Sequence, residues 1–434
     1  MQISTTTLKN GYKLICIPDD RFASVQVKFW YSLPLQKEHV TSGVMLSQVL
    51  KRGSQNYPTS LVLTKALDQL WGASLDFEAQ KLGSRHLIMP QIEFTDPRFL
   101  PEKATPIIKE AISLLEDIVN QPLTSDMAFD SKIFQEEQAV LRAHQERIRN
   151  YPQALAMINS QALLFAGEPQ AVPRLGLRED LDSLTPQSLY EYYCYFQKEA
   201  ELTIGITGAI TPDEAEQLLE QILPPQKKSP IIAPLEAKNW FGETLRKIDT
   251  FETEQSQLII AFTSGLSYGD ELSLPLTLVN GLWGGFAHSR LFRKVREEAG
   301  LAYATWTNCD RYTGVIYASA GLNAQAAKGA EEIILRELAE IQKGNFTESE
   351  LAMTKKTLLD TYRISMDDPA AMLLYNYSGT LWPRPYDLVT TMQQIADMTP
   401  DVICAAAKCL KPAVSYLLKN ADDELVETEG LNDE

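Results

Sequence analysis

Apolar and polar positions alternate clearly over Ser24–Trp30, where Val25, Val27 and Phe29 alternate with Gln26, Lys28 and Trp30. A period of two predicts a strand with one apolar face. A shorter apolar run, Tyr12 to Ile17, precedes it. The spacing then shifts to the helical period at about Ser42–Leu50 and Ser60–Leu70, with Gly72 as the stop for the second helix. Alternation returns over Leu75–Gln80, and longer helices are expected at about Pro101–Asn120 and Ser131–Arg149. Thr185-Pro186 opens a further helix that leads to a strand at Leu202–Thr207.

The second half of the chain has the same sense. Strands are expected at Gln257–Phe262, Val315–Ala320 and Val414–Leu418, with helices at Leu272–Trp283, Gln325–Lys343 and Thr347–Met366. Thr347 and Glu350 have capping-box spacing, and Thr399-Pro400 opens a helix ahead of the last strand as Thr185-Pro186 does in the first half. Between the halves, Pro224, Pro225, Pro230 and Pro234 interrupt any helix or central strand. The expected division is therefore an N-terminal α+β domain at 1–222, a linker at 223–238, a C-terminal α+β domain at 239–421 and an acidic tail at 422–434. The repeated order of elements predicts an internal duplication.

Composition narrows the class. The chain has 434 residues, 44% hydrophobic and 22% charged, the balance of an ordinary globular protein of more than one domain. No apolar run reaches the length of a membrane span, and the start lacks the pattern of a secretory signal, so a cytoplasmic location is expected. The net charge of −17 argues against nucleic acid and acidic membrane surfaces as partners and fits basic or neutral peptides. Five scattered cysteines (Cys16, Cys194, Cys309, Cys404 and Cys409) form no C-x-x-C pair and are expected to be reduced and mostly buried.

Two stretches carry chemistry. The first is Thr41 to Ala73, with Gly43, Leu50-Lys51-Arg52-Gly53-Ser54, Tyr57-Pro58 and Leu70-Trp71-Gly72-Ala73-Ser74-Leu75. This frame resembles the signature region of the pitrilysin/insulinase family of zinc peptidases, whose members carry H-x-x-E-H on the first helix. Histidines at i and i+4 share one helical face and bind zinc, with the glutamate as general base. On this frame Val44 stands at the first histidine, Ser47 at the glutamate and Gln48 at the second histidine. The third ligand of the family is a glutamate on a later helix. The resemblance places Ala143 there, and Glu136 at the acidic residue seven positions before it. Valine has no lone pair, and amide or hydroxyl oxygens are poor ligands for zinc. No metal of its own is therefore expected. The four histidines, His39, His86, His144 and His288, include no two at i,i+3 or i,i+4 spacing, so surface or capping roles are expected over a relocated site built on His39, His144 and a carboxylate.

The second stretch runs from Trp283 to Tyr303 and contains Gly284-Gly285, Ser289-Arg290-Leu291-Phe292 and Val295-Arg296-Glu297-Glu298-Ala299-Gly300-Leu301-Ala302-Tyr303. It is similar to the C-terminal stretch of the same family, in which an arginine and a tyrosine seven residues apart bind substrate and polarise its carbonyl across the cavity from the zinc. Arg296 and Tyr303 stand at those positions. Guanidinium and phenol are fixed donors suited to a peptide carbonyl or an oxyanion. A plain alternative pairs Arg296 with Glu297 or Glu298 and places Tyr303 in the core. The intact motif favours the functional pair. Gly284 and Gly285 lie in no phosphate-loop pattern and are expected to form a tight turn between helices.

The resemblance implies two homologous halves, each a mostly antiparallel sheet covered by helices, of the metallopeptidase clam-shell kind. It further implies an exposed sheet edge near Leu75–Gln80 to which extended peptides add. A strand buried between helices is the alternative there. In some pairs of the family one chain holds zinc and the other, metal-free, supplies the arginine and tyrosine. The implied role is a zinc-less subunit of a heteromeric metallopeptidase, inactive alone, with an H-x-x-E-H-bearing homologous subunit, or itself as a homodimer, as partner and a peptide as substrate. The alternative is a peptide-binding or structural scaffold protein with no peptidase role.

Overall fold

The computed structural model describes residues 3–101, 106–226, 232–234, 236–382 and 387–423. Parts of the expected linker (227–231 and 235) and of the acidic tail (424–434) lie outside these residues.

The first half begins with strands β1 (Ser4–Thr7), β2 (Lys13–Pro18) and β3 (Ser24–Pro34), then helices α1 (Val40–Leu50) and α2 (Ser60–Gln69). Strands β4 (Ser74–Leu82) and β5 (Arg85–Thr95) follow, then α3 (Ile107–Asn120) and the two-residue strands β6 (Thr124–Ser125) and β7 (Ala128–Phe129). Helices α4 (Ser131–Arg149), α5 (Pro152–Leu164), α6 (Arg178–Ser183) and α7 (Pro186–Glu199) lead to β8 (Glu201–Gly208) and α8 (Pro212–Ile222). The second half runs β9 (Leu245–Phe251), β10 (Ser256–Thr263), α9 (Pro275–Asn280), β11 (Ala302–Asp310), β12 (Val315–Leu322), α10 (Ala327–Lys343), α11 (Glu348–Ser365), α12 (Pro369–Gly379), α13 (Leu388–Asp397), α14 (Pro400–Cys409) and β13 (Lys411–Asn420).

Local chemistry accounts for most boundaries. Thr185 accepts from the Ser188 N–H and Ser188 returns the bond to the Thr185 N–H, which fixes the start of α7 ahead of Pro186. Glu350 accepts from the Thr347 N–H at 2.8 Å, while Thr347 accepts from the Glu350 N–H, so the capping box expected at α11 is present. Gly344, at φ 82°, closes α10 in the left-handed conformation that glycine adopts without penalty. Along α10, Ala330, Ile334, Glu337, Leu338 and Ile341 form the buried stripe.

The duplication is explicit in the sheets. Their orders are β1-β2-β8-β3-β5-β4 and β11-β12-β10-β13-β9. Leaving out β1 and reversing one list superposes them strand for strand. In both, the single parallel contact falls at the same place, β2 with β8 and β9 with β13, and the other pairs are antiparallel. Each half is thus a mostly antiparallel sheet covered by helices.

Packing groups the chain into two units built from three segments each. One comprises Met1–Gln145, Val172–Pro234 and Ile364–Asp387; the other comprises Glu146–Ala171, Leu235–Arg363 and Leu388–Glu434. The halves therefore exchange a helix. In the first unit α12 packs on β8 and β2. Trp30 stacks on Tyr377 with ring centroids 4.5 Å apart and planes 4° from parallel. Gly205 makes room for this contact, because a Cβ there would sit 2.5 Å from Trp30 Cζ3 and 2.9 Å from Leu373 Cδ2. In the second unit α5 lies on β10 and β13. Ala156 and Leu164 join a core with Ile259, Tyr317 and Leu418 there, and Asn159 Nδ2 donates to Tyr416 Oη at 2.7 Å.

The exchange corrects the reading of β3. Alternation predicted one apolar face, yet every residue from Val25 to Leu33 is buried. Val25, Val27 and Phe29 meet the main core, while Gln26, Lys28 and Trp30 lie on the face that α12 covers. Burial depresses the Lys28 pKa, and the nearby carboxylates of Glu78, Asp76 and Asp368 oppose that shift. The cysteine expectation also changes. All five are free, but only Cys16 is buried, and Cys194 is exposed. Among the described residues, no helix is long and apolar enough to cross a membrane.

Candidate functional site

Helix α1 is buried almost all round, because it sits against β4, β5 and α7. Val44 is part of the main hydrophobic core. Ser47 is fully buried, and its hydroxyl donates to the Val44 carbonyl at 2.7 Å, so it is satisfied within its own helix. Gln48 is half-buried. On α4 the buried stripe is Phe134, Glu137, Leu141 and Gln145, and Ala143 lies off it, exposed. Glu136 and Glu137 take the two arms of the Arg52 guanidinium at 2.7 and 2.5 Å. These hydrogen bonds, Glu137's first, raise the Arg52 pKa. Among the described residues, no group of three or more His, Cys, Asp or Glu is placed to hold a metal ion.

One histidine departs from the expected surface and capping roles. His144 is exposed, but His86, on β5, is 1% exposed. Among the described residues neither of its ring nitrogens has a hydrogen-bond partner. Desolvation, then the charge of Lys81 and the neighbouring His39, lowers its pKa to about 4. The ring fits because residue 43 is glycine: a Cβ there would lie 2.3 Å from His86 Cε1 and 3.0 Å from Tyr192 Oη. His39 packs on the rings of Tyr192 and Tyr195, with centroids 5.2 and 4.6 Å away. The glycine that forms part of the family-like frame is therefore the space for a buried imidazole.

The second stretch is differently disposed. Helix α9 continues as a π-helical turn over Gly281–Gly285, and a second π-helix covers Phe292–Glu298. Such turns are uncommon and concentrate at functional sites. Gly284 and Gly285 do not make the expected tight turn. They lie within the first π-helix, where a Cβ on Gly284 would sit 2.6 Å from Thr307 Cγ2 on β11. The glycines let a helix press against the sheet.

Three arginines project from this stretch with different fates. Arg290 is largely buried, 3.6 Å from both Glu337 and Glu350. Arg293 donates to Glu350 at 3.0 Å. With His288 and the start of α11 they line a cavity of about 660 Å³. Arg296 is exposed, its guanidinium 4.7 Å above the Phe292 ring, and among the described residues it makes no ion pair. Glu298, one suggested partner, is engaged by Lys294 at 2.7 Å and Arg293 at 3.8 Å. Tyr303 stands at the start of β11, beside a register shift between Ala302 and Ala304, and is 57% exposed. The core role considered for it does not hold. A planar fork propped on an aromatic ring and a phenol on an edge strand are both open to a ligand.

β4 and β11 are terminal strands of their sheets. β4 is partly exposed along its length, whereas β5 behind it is mostly buried. The edge expected near Leu75–Gln80 is thus present, and the alternative of a strand buried between helices is not.

The chain as a whole resembles several known proteins. Residues 183–358 match the family described as Peptidase M16 inactive domain. The chain is 24% identical over 408 residues to the probable inactive metalloprotease YmfF of Bacillus subtilis, covering 94% of this chain and 95% of that protein. Among solved structures, a conserved protein from Enterococcus faecalis superposes with a TM-score of 0.91 at 25% identity, over 98% of this chain and all of the other. A Peptidase M16 inactive domain from Pseudomonas fluorescens gives 0.80 at 17% identity, with 98% and 100% covered.

Proposed function

This chain belongs to the M16 peptidase family as a member without the zinc motif, and from that premise we propose that it serves as the metal-free subunit of a heteromeric metallopeptidase. The observation that carries the reading is the contrast between its two motif regions. At the zinc-site positions Val44 and Ser47 have been absorbed into packing, whereas Arg296 and Tyr303 remain open. A partner bearing H-x-x-E-H would provide the zinc and the general base. Arg296 would hold a carbonyl oxygen of the bound peptide, and Tyr303 would donate to the oxyanion as it forms. The exposed edge of β4 suits an extended peptide, which would pair with it through main-chain hydrogen bonds.

The test is to mix the chain with a zinc-bearing homologue from its own organism and follow peptide hydrolysis. The mixture is expected to exceed the homologue alone, and Arg296→Ala is expected to reduce that gain about tenfold, the worth of one charged hydrogen bond. If the mixture gains nothing over the homologue and Arg296→Ala changes nothing, the chain has no part in catalysis and the peptide-binding or scaffold reading stands. A companion measurement is elemental analysis of the purified chain, expected to find zinc far below one equivalent. Near-stoichiometric zinc would contradict the metal-free role.

A further inference from the structure

The two sheets differ at one edge. In the first unit β2 closes the repeated strand order, and β1 covers it, antiparallel, from Ser4 opposite Cys16 to Thr7 opposite Lys13. In the second unit β9 holds the same place, and among the described residues no strand pairs with its outer side. Five of its seven residues are exposed, with Leu245 at 42% and Ile248 at 37%, and Phe241, just before it, is 85% exposed. An open row of backbone N–H and C=O groups on a regular strand is a template for another strand.

The side chains say which strand. β9 reads Leu245-Arg246-Lys247-Ile248-Asp249-Thr250-Phe251. Placed antiparallel to itself about Ile248, it sets Lys247 against Asp249 twice, Leu245 against Phe251 twice and Ile248 against its own copy. Opposite charges and apolar groups facing each other across antiparallel strands stabilise the pair. Charges on an edge usually keep strands apart, but here both signs are placed so that a two-fold axis turns them into attraction. The charged side chains are also held in position. Arg246 is fixed by Glu331 at 2.8 and 3.0 Å, Lys247 lies 3.2 Å from Asp249, and Asp249 accepts from Tyr416 Oη at 2.8 Å. Less side-chain freedom is then lost on association.

We propose that the outer edge of β9 is a docking surface for β9 of a second copy of this chain, joining two five-stranded sheets into one across a two-fold axis. This surface is independent of the peptidase role and stands or falls separately from it.

Sedimentation equilibrium of the full chain is the test. The wild type is expected to show a concentration-dependent dimer. Lys247→Asp sets like charges opposite each other on both sides of Ile248, as does Asp249→Lys. Each variant alone is expected to weaken the dimer about tenfold or more. An equal mixture of the two restores both attractive pairs and is expected to dimerise again. Circular dichroism checks that each variant is folded. If Asp249→Lys fails to fold, Ile248→Cys provides the reading: mild oxidation should cross-link it to itself, beyond any cross-linking of the wild type through Cys194. A monomeric wild type, single variants that dimerise as tightly as the wild type, a mixture that stays monomeric, or an Ile248→Cys chain that does not cross-link would each overturn the proposal.

Discussion

Trp30→Ala is expected to destabilise the first unit by about 3–5 kcal/mol, the usual cost of removing a fully buried tryptophan. Trp30 has no exposed surface and stacks flat on Tyr377, so a ring–ring contribution of about 1 kcal/mol is lost with it. The vacated space cannot collapse easily. Gly205 offers no side chain to fill it, and its neighbours belong to a central strand. Because Tyr377 belongs to a segment exchanged from the second half, the damage should appear first in α12. Amide exchange over Pro369–Gly379 is expected to rise more than exchange over β10, which lies in the other unit. Urea unfolding gives the total, fitted without assuming one transition for two units. A loss below about 1 kcal/mol, with exchange in α12 unchanged, would mean that the helix does not depend on this contact.

Acidification is expected to cost about 3 kcal/mol through His86 alone. In the unfolded chain an imidazole takes up its proton near 6.5, and in the folded chain His86 does so only at about 4. Between those values the unfolded state holds more protons. Stability is therefore complete above pH 6.5, falls as the pH drops, and has lost this contribution below pH 4. Carboxylates act lower on the scale. Asp19, whose pKa is lowered chiefly by its hydrogen bond with Arg21, gives up stability only below the ordinary value of 3.8. Glutamates such as Glu214 and Glu350, lowered from 4.5, begin to act near that value, so the window above about pH 4.5 belongs mainly to histidine. Stability measured by denaturant at steps from pH 7 to pH 4 should slope downward, and His86→Gln should flatten the slope. A variant with the wild-type slope would assign the loss elsewhere.

The legible parts of the site were those set by residue type in a short stretch. Val44 and Ser47 cannot offer zinc an imidazole or a carboxylate in any fold, and Arg296 with Tyr303 could be singled out from the run that contains them. Exposure was not legible, and it separates Arg296 from Arg290 and Arg293, which the same stretch presents as equals. Glu337 and Glu350 come from helices beyond β12, and no local pattern links them to Arg290 and Arg293. The π-helical turns are not legible either, because a helical period does not reveal one extra residue per turn. The burial of His86 is hidden in the sequence for a similar reason. On a strand of apolar residues it resembles a surface interruption until the glycine opposite it, on α1, is seen to leave it a socket.

By itself the sequence determined many of the strands and helices of each half, though not β5, β9, β11, α5 or α12, the similar order of those it did mark, the caps that begin α7 and α11, and the absence of zinc-binding residue types at the motif positions. These follow from period, from side chains that reach only their own backbone, and from the chemistry of single residues. Only the tertiary structure decided which helix covers which sheet, that α5 and α12 are exchanged between the halves, that β3 is buried on both faces, and that β2 is covered while β9 is open. Each of these depends on contacts between residues far apart in the chain. Helices with similar apolar surfaces can cover either of two sheets with the same strand order, so nothing local to α5 or α12 states the choice.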